Sequence, residues 1–328
     1  MSAQNPTLRV ENLQTHFMTK AGTVKAVDDV SFTVHPGRVL GLVGESGAGK
    51  SVTGFSIIGL VDPPGRIVGG RIMFHGTNLV GLPEHRMRAF RGSKIAMIFQ
   101  DPLTTLNPVL RIDTQMIEAI LAHQDVSREF ARQKARDALG RVGIPSPEER
   151  LRAYPHQFSG GMRQRVVIAI ALLNEPDLII ADEPTTALDV TIQGQILYEV
   201  QKLCREKGTS LIWITHDLSV VAGLADDVCV MYAGRIVEAG RIADVLQRPL
   251  HPYTRGLINS VPSRNSRGQR LQQIPGMAPS PLNLPPGCSF RARCPRATEK
   301  CAESPPVTTP LPGQSSRCFH PLLDGADP

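Results

Sequence analysis

Apolar and polar positions change their period several times along the chain. Alternation over 8–13 and 30–34 predicts strands of a small antiparallel sheet with one wet face. Nearly unbroken apolar runs at 39–43, 95–99, 178–181, 211–215 and 228–232 predict strands covered on both faces, as in a parallel sheet. Between them, helical periodicity predicts helices over 50–60, 114–123, 128–142, 160–173 and 191–207. Strands and helices in alternation imply an α/β fold. Pro145 and Pro147 end the helix before them, and Tyr154-Pro155 opens a turn.

The pattern fades near residue 260. The stretch 262–328 holds 13 of the 27 prolines, four of the six cysteines, and eight Lys/Arg against four Asp/Glu. It shows no sustained period and is expected to lack a conventional core, so it reads as an extension that needs another means of support. The expected division is a domain at 1–260 and an extension at 261–328. The longest apolar run, 166–173, is far short of the ~18 residues of a membrane span. The first residues, MSAQNPTLRV, lack a signal-peptide pattern, so a cytosolic chain is expected. A net charge of +6 over 328 residues is too diffuse to argue for nucleic acid.

Three motifs carry chemistry. GESGAGKS supplies Gly44, Glu45, Ser46, Gly47, Ala48, Gly49, Lys50 and Ser51, followed by Val52, between an apolar strand and a helix. Its glycines let backbone N–H groups turn inward around phosphate oxygens, and the helix start favours the same anion. Lys50 would reach the β- and γ-phosphates, and Ser51 would bind Mg²⁺. LIIADEP ends a buried strand in two carboxylates. Asp182 is the expected magnesium ligand, and Glu183 the group that orients and polarises water. FSGGM precedes a helix, with Ser159 as N-cap and Gly160 and Gly161 exposing N–H groups, a second anion site.

The order GESGAGKS, Gln100, FSGGM, LIIADEP, Ala187-Leu188-Asp189 and His216 resembles the nucleotide-binding subunit of an ATP-binding cassette (ABC) transporter. The resemblance implies an ABC-type α/β domain with a RecA-like core, an antiparallel β subdomain and a helical subdomain at about 101–165, plus the Cys/Pro-rich C-terminal extension. It implies that Gln100 senses Mg²⁺ and the attacking water, that Asp189 lies at a dimer seam, and that His216 stands near the γ-phosphate. Phe17 sits where an aromatic ring stacks on adenine. The family's usual fifth signature residue is Gln, and Met162 stands there instead, which leaves the Ser–Gly–Gly site intact but removes an amide. AVDDVSF, MIFQDPLTTLNP, ADEPTTALDVTIQ, ITHDLSVVA, MYAGRIVEAG and HPYTRGLI resemble the ATPase subunits of dipeptide/oligopeptide importers, whose relatives include nickel and glutathione importers.

That resemblance implies ATP hydrolysis powering import, with ATP and Mg²⁺ as cofactors. The implied partners are a second, related ABC ATPase, two integral membrane permease subunits and an extracytoplasmic peptide-binding protein. The implied location is the cytoplasmic face of the bacterial inner membrane. A soluble ABC ATPase acting on ribosomes or DNA would usually show two cassettes or a strongly basic arm. A small-molecule kinase is disfavoured by FSGGM and by the Asp182–Glu183 pair.

Cys288, Cys294, Cys301 and Cys318 are separated by five, six and sixteen residues, which is not a C-x-x-C zinc spacing. Four thiolates in such a segment suit a metal clip. In the importer family the matching segment is similar to one that binds a 4Fe–4S cluster in some members. Zinc and free thiols stay open as alternatives. The ATPase motifs are complete within 1–220, far in sequence from these cysteines, so a structural role is expected for them.

Overall fold

The computed structural model describes residues 5–185, 190–261 and 273–323. Its strands are β1 (Leu8–Thr19), β2 (Gly22–Val34), β3 (Val39–Val43), β4 (Gly65–Phe74), β5 (Thr77–Asn78), β6 (Ile95–Ile98), β7 (Leu178–Asp182), β8 (Ser210–Thr215), β9 (Asp227–Tyr232), β10 (Arg235–Arg241), β11 (Thr308–Leu311) and β12 (Gln314–Ser316). Its helices are α1 (Lys50–Ile57), α2 (Glu84–Phe90), α3 (Pro102–Thr105), α4 (Ile112–Leu121), α5 (Arg128–Arg141), α6 (Pro147–Leu151), α7 (Gly160–Leu172), α8 (Val190–Lys207), α9 (Leu218–Leu224), α10 (Ile242–Gln247) and α11 (Pro252–Asn259). The chain divides into two compact units, one built mainly from 81–212 and the other from 8–34, 39–80 and 213–328.

The first unit is the helical one. β6 and β7 pair in parallel, Ile95 opposite Leu178 and Ile98 opposite Ala181. β7 is buried at every position, as its unbroken apolar run requires. Helices α4, α5 and α7 pack through Met116, Ile120, Ala131, Ala135, Leu139 and Val166. Ser127 caps α5 and Ser159 caps α7, each accepting a backbone N–H of the first turn. The side-chain amide of Asn174 donates to the carbonyls of Gly92 and Ala119, tying loop ends that no ladder satisfies.

The second unit holds two sheet assemblies. In one, β2, β1, β4 and β5 lie side by side, all antiparallel, with buried and exposed positions in rough alternation. β1 and β2 run well past the alternating stretches at 8–13 and 30–34, because their bulged ends keep pairing after the polarity pattern breaks. In the other, β3 pairs in parallel with β9, and β9 pairs antiparallel with β10. The apolar runs of β3 and β9 are buried as expected.

The expectation of a coreless C-terminal stretch is corrected here. The β11–β12 hairpin adds to the edge of β10, Glu238 opposite Ser316. Phe290, Arg293, Cys301, Gln314 and Leu322 are buried. The sequence hid this because the support is polar. Glu238, buried on β10, accepts from the Gln314 amide at 2.8 Å and from the backbone N–H groups of Leu250 and His251 at 2.7 and 2.9 Å. Burial pushes its carboxyl above the usual range, against the pull of these donors. Removing one acceptor therefore strands several buried donors. Glu238→Ala should lower stability by about 1–3 kcal/mol and expose 308–316 to limited proteolysis, as read by thermal unfolding and fragment mapping.

Candidate functional site

The turn at Gly44–Ser51, expected from the sequence to be the phosphate loop, belongs to the second unit. β3 delivers Gly44 into it, and α1 begins at Lys50. Gly49 is the residue before the helix, with φ of 99°, and a Cβ there would stand 2.2 Å from the Ala26 carbonyl oxygen. Neither the conformation nor the space admits a side chain. Gly47 also has positive φ, 78°, but nothing surrounds it. Ser46 and Gly47 are exposed, Ser51 and Val52 half-buried, and Ala48 buried. The buried Lys50 ammonium donates to the carbonyls of Gly44 and Glu45, at 2.8 and 3.0 Å, and so lies along the inside of the turn.

Glu45 is held at every polar group. Its N–H donates to the Tyr253 hydroxyl at 2.9 Å, and its carbonyl accepts from Lys50 and from the Ala48 N–H. Its carboxylate takes a two-pronged pair from Arg293, at 2.7 and 3.0 Å. Arg293 also donates to the Pro275 carbonyl and the Tyr232 hydroxyl, and its guanidinium lies 5.8 Å from the Tyr232 ring centre and 5.9 Å from that of Phe290. The Glu45 pair raises the Arg293 pKa further above its ordinary value. Sequence distance misled here: Arg293 lies next to Cys294, far along the chain, yet it grips the phosphate loop.

Phe17 is half-buried on β1, opposite Gly65 of β4 and Val24 of β2. A Cβ at Gly65 would come within 2.6 Å of the Phe17 ring, so the ring rests against bare backbone. His216 is exposed directly after β8, and the next residue, Asp217, caps α9 by accepting the Ser219 N–H.

In the first unit Asp182 closes β7 and is only 3 % exposed, at the end of a strand with no other charge. Glu183 follows with φ of 44°, a left-handed conformation costly for a residue with a side chain. The Gln100 amide donates to its carboxylate at 3.3 Å. The structure thus brings Gln100 to Glu183, a contact that the motifs alone do not state. Nothing in the sequence announced the strained backbone at Glu183. Ser159 and Gly160 are exposed at the start of α7, Gly161 is half-buried, and the Ser159 hydroxyl accepts the Met162 N–H at 3.3 Å. Asp189 lies outside the described residues.

Cys288, Cys294, Cys301 and Cys318 line one small cavity, beside Phe290 and His251. Burial pushes the thiols of Cys288 and Cys294 up, and that of Cys318 up to about 11. Among the described residues no three His, Cys, Asp or Glu groups stand close enough to hold one metal ion. Cys204 and Cys229 are buried core thiols, each pushed up to about 12 by desolvation.

Comparison with known proteins meets this geometry. A family model described as "ABC transporter" matches residues 27–186, and one described as "Oligopeptide/dipeptide transporter, C-terminal region" matches 237–301. The chain is 48% identical over 315 residues to the oligopeptide transport ATP-binding protein OppD of Escherichia coli (strain K12), covering 96% of this chain and 93% of that one. It is 51% identical over 327 residues to the dipeptide transport ATP-binding protein DppD of Bacillus subtilis (strain 168), covering 97% and 98%. A post-hydrolysis dimer of the ATP-binding cassette MJ0796 bound to ADP and Pi aligns with a TM-score of 0.65 at 25% identity, covering 72% of this chain and 98% of that one. The structure of cbiO1 from Clostridium perfringens, part of the ABC transporter complex cbiONQ, aligns with a TM-score of 0.63 at 27% identity, covering 74% and 92%. The fold is that of an ABC ATPase. The chain belongs to the ATP-binding subunits of ABC-type oligopeptide/dipeptide transporters.

The two loop glycines should respond differently. Gly47→Ala meets only the backbone strain, about 1–2 kcal/mol, and should keep measurable ATP binding. Gly49→Ala also collides with Ala26 and should abolish it. Titration with a fluorescent ATP analogue, alongside thermal melts, separates the two.

Proposed function

We propose that this chain hydrolyses ATP to drive uptake of dipeptides and oligopeptides through a membrane complex. The Gln100–Glu183 pair at the strained end of a buried strand carries the hydrolytic assignment. The names of the full-length relatives support the solute class. Gly44–Ser51 would hold the phosphates through backbone N–H groups and Lys50, with Phe17 against the adenine. Ser51, Asp182 and Gln100 offer the oxygen donors that magnesium takes, and the ion would neutralise phosphate charge. Glu183 would accept the proton of the attacking water and Gln100 would orient that water, while His216 would hold the γ-phosphate in register.

One phosphate loop and one signature imply a partner ATPase whose Ser–Gly–Gly completes the site, just as Ser159, Gly160 and Gly161 complete the partner's. Asp189 is proposed for the seam between them. That second ATPase is proposed to be a paralogue, bound with two permease subunits on the cytoplasmic face of the membrane and fed by an extracytoplasmic peptide-binding protein. Among the described residues no helix is long and apolar enough to cross a membrane. Leu103 and Val109, 60% and 75% exposed just after Gln100, give a permease an apolar foothold beside the water-orienting residue.

The Cys/Pro-rich stretch at 261–328 is proposed to be a C-terminal extension fastened by a 4Fe–4S cluster on Cys288, Cys294, Cys301 and Cys318. Its support is the convergence of four thiols on one cavity. A single tetrahedral zinc would need sulfurs about 3.8 Å apart, whereas in a cluster each thiolate binds its own iron and the four stand wider.

Glu183→Gln should keep ATP binding, trap the ATP-bound dimer and slow phosphate release by at least ~100-fold in the assembled complex. Near-normal release would overturn the role, and failure of a deletion strain to lose uptake of labelled dipeptides would overturn the transport reading. For the cysteines, anaerobic purification should give about four irons and four acid-labile sulfides per chain, lost on replacing any one cysteine with Ser. One zinc and no sulfide would reject the cluster.

A further inference from the structure

The phosphate loop contains a difficulty that the motif does not explain. Glu45 places a carboxylate in a loop whose task is to attract a highly charged anion. Unpaired, it would repel the phosphates, and the repulsion would be strongest in a partly buried site. Its side chain is 30% exposed, and its partner Arg293 is only 6% exposed. The pair is two-pronged and is braced by Pro275, Tyr232 and the Phe290 ring. Fork-to-fork pairs of this kind fix geometry as well as charge.

We propose that Arg293 is a positioning residue for the nucleotide: by pairing with Glu45 it cancels that carboxylate's charge beside the phosphate site. The C-terminal stretch thereby becomes part of the nucleotide site. Phe290 and Arg293 carry the link. Phe290 packs at 5.3 and 5.4 Å on Tyr232 and Tyr253, and Tyr253 receives the Glu45 N–H. Cys294, the next residue after Arg293, faces the four-cysteine cavity. Disturbing that cavity displaces the guanidinium and so weakens ATP binding, contrary to the independence that sequence separation suggests. The proposal rests on Gly44–Ser51 being the phosphate loop.

The test is isothermal titration of the full-length chain with ATP and Mg²⁺, for Arg293→Gln, Arg293→Lys, Glu45→Gln, the Glu45→Gln/Arg293→Gln pair and Lys50→Ala. Arg293→Gln should weaken ATP at least ~10-fold, about 1.4 kcal/mol, and weaken ADP less, because the penalty scales with phosphate charge. In the assembled ATPase it should raise KM with kcat little changed. Arg293→Lys, which keeps the charge but loses the fork, should fall between. Glu45→Gln, which removes the charge that needs cancelling, should weaken ATP less than Arg293→Gln does, and the double variant should recover to within about 3-fold of Glu45→Gln alone. Native affinity in Arg293→Gln, or a double variant as weak as Arg293→Gln alone, overturns the proposal. If Arg293→Gln does not fold, the double variant and Glu45→Gln decide: a loss of ~10-fold or more in both means that the pair is only a structural clamp and overturns the proposal. Lys50→Ala tests the underlying reading separately, since retained ATP binding there would reject the phosphate loop itself.

Discussion

The turn at Gly44–Ser51, proposed to bind phosphate, must hold its N–H groups inward with no ladder of its own to fix them, and the second unit is arranged around that constraint. The turn is stiffened from every side. Ala26 presses against the space that a side chain at Gly49 would need. Gly234 donates to the Ala48 carbonyl, and Asp28 donates its N–H to the Gly234 carbonyl. Asp28 in turn receives Arg235 through its carboxylate, at 2.7 and 3.1 Å. Tyr253, Lys50 and Arg293 close on Glu45. A site so constrained is organised before its ligand arrives, which reduces the ordering cost of binding.

The first unit applies the same principle with a different material. The carboxylate proposed to accept the proton of water stands on a strained residue instead of a glycine turn. Glu183 keeps a left-handed backbone directly after five buried strand positions. The rigid strand therefore over-determines where its carboxylate goes, and Gln100, just past the parallel neighbour β6, meets it there. Strain of this kind persists where the surrounding structure leaves no cheaper alternative. A strand end between buried neighbours is such a place.

What the sequence made legible follows from what is local. Strands β3 and β9 are predicted from runs that must be buried on both faces, and GESGAGKS names its loop because glycine, lysine and the strand–helix flanks all speak within about fifteen residues. The C-terminal stretch was illegible because its supports pair residues far apart: Gln314 with Glu238, and Arg293 with Glu45. No period marks a polar side chain whose partner is 248 positions away. β4 went unread for a related reason. Its glycines at 65, 69 and 70 look like loop, but Gly65 sits where the Phe17 ring of β1, and Gly70 where the β1 backbone, comes too close for a Cβ.

Three carboxylates of the second unit receive side-chain donors from beyond residue 290. Glu45 takes Arg293, Glu238 takes Gln314, and Asp29 takes Arg317 at 2.7 Å. Hydrophobic packing of so short a segment would hold it in many near-equivalent places, since apolar contact is non-directional. Polar pairs at three separate points, one fully buried and two partly so, favour one placement, because any other strands a charge or a donor. Their net contribution to stability is modest, and their effect is registry. Registry is what a segment needs when one of its arginines must reach a single carboxylate in a phosphate-binding turn.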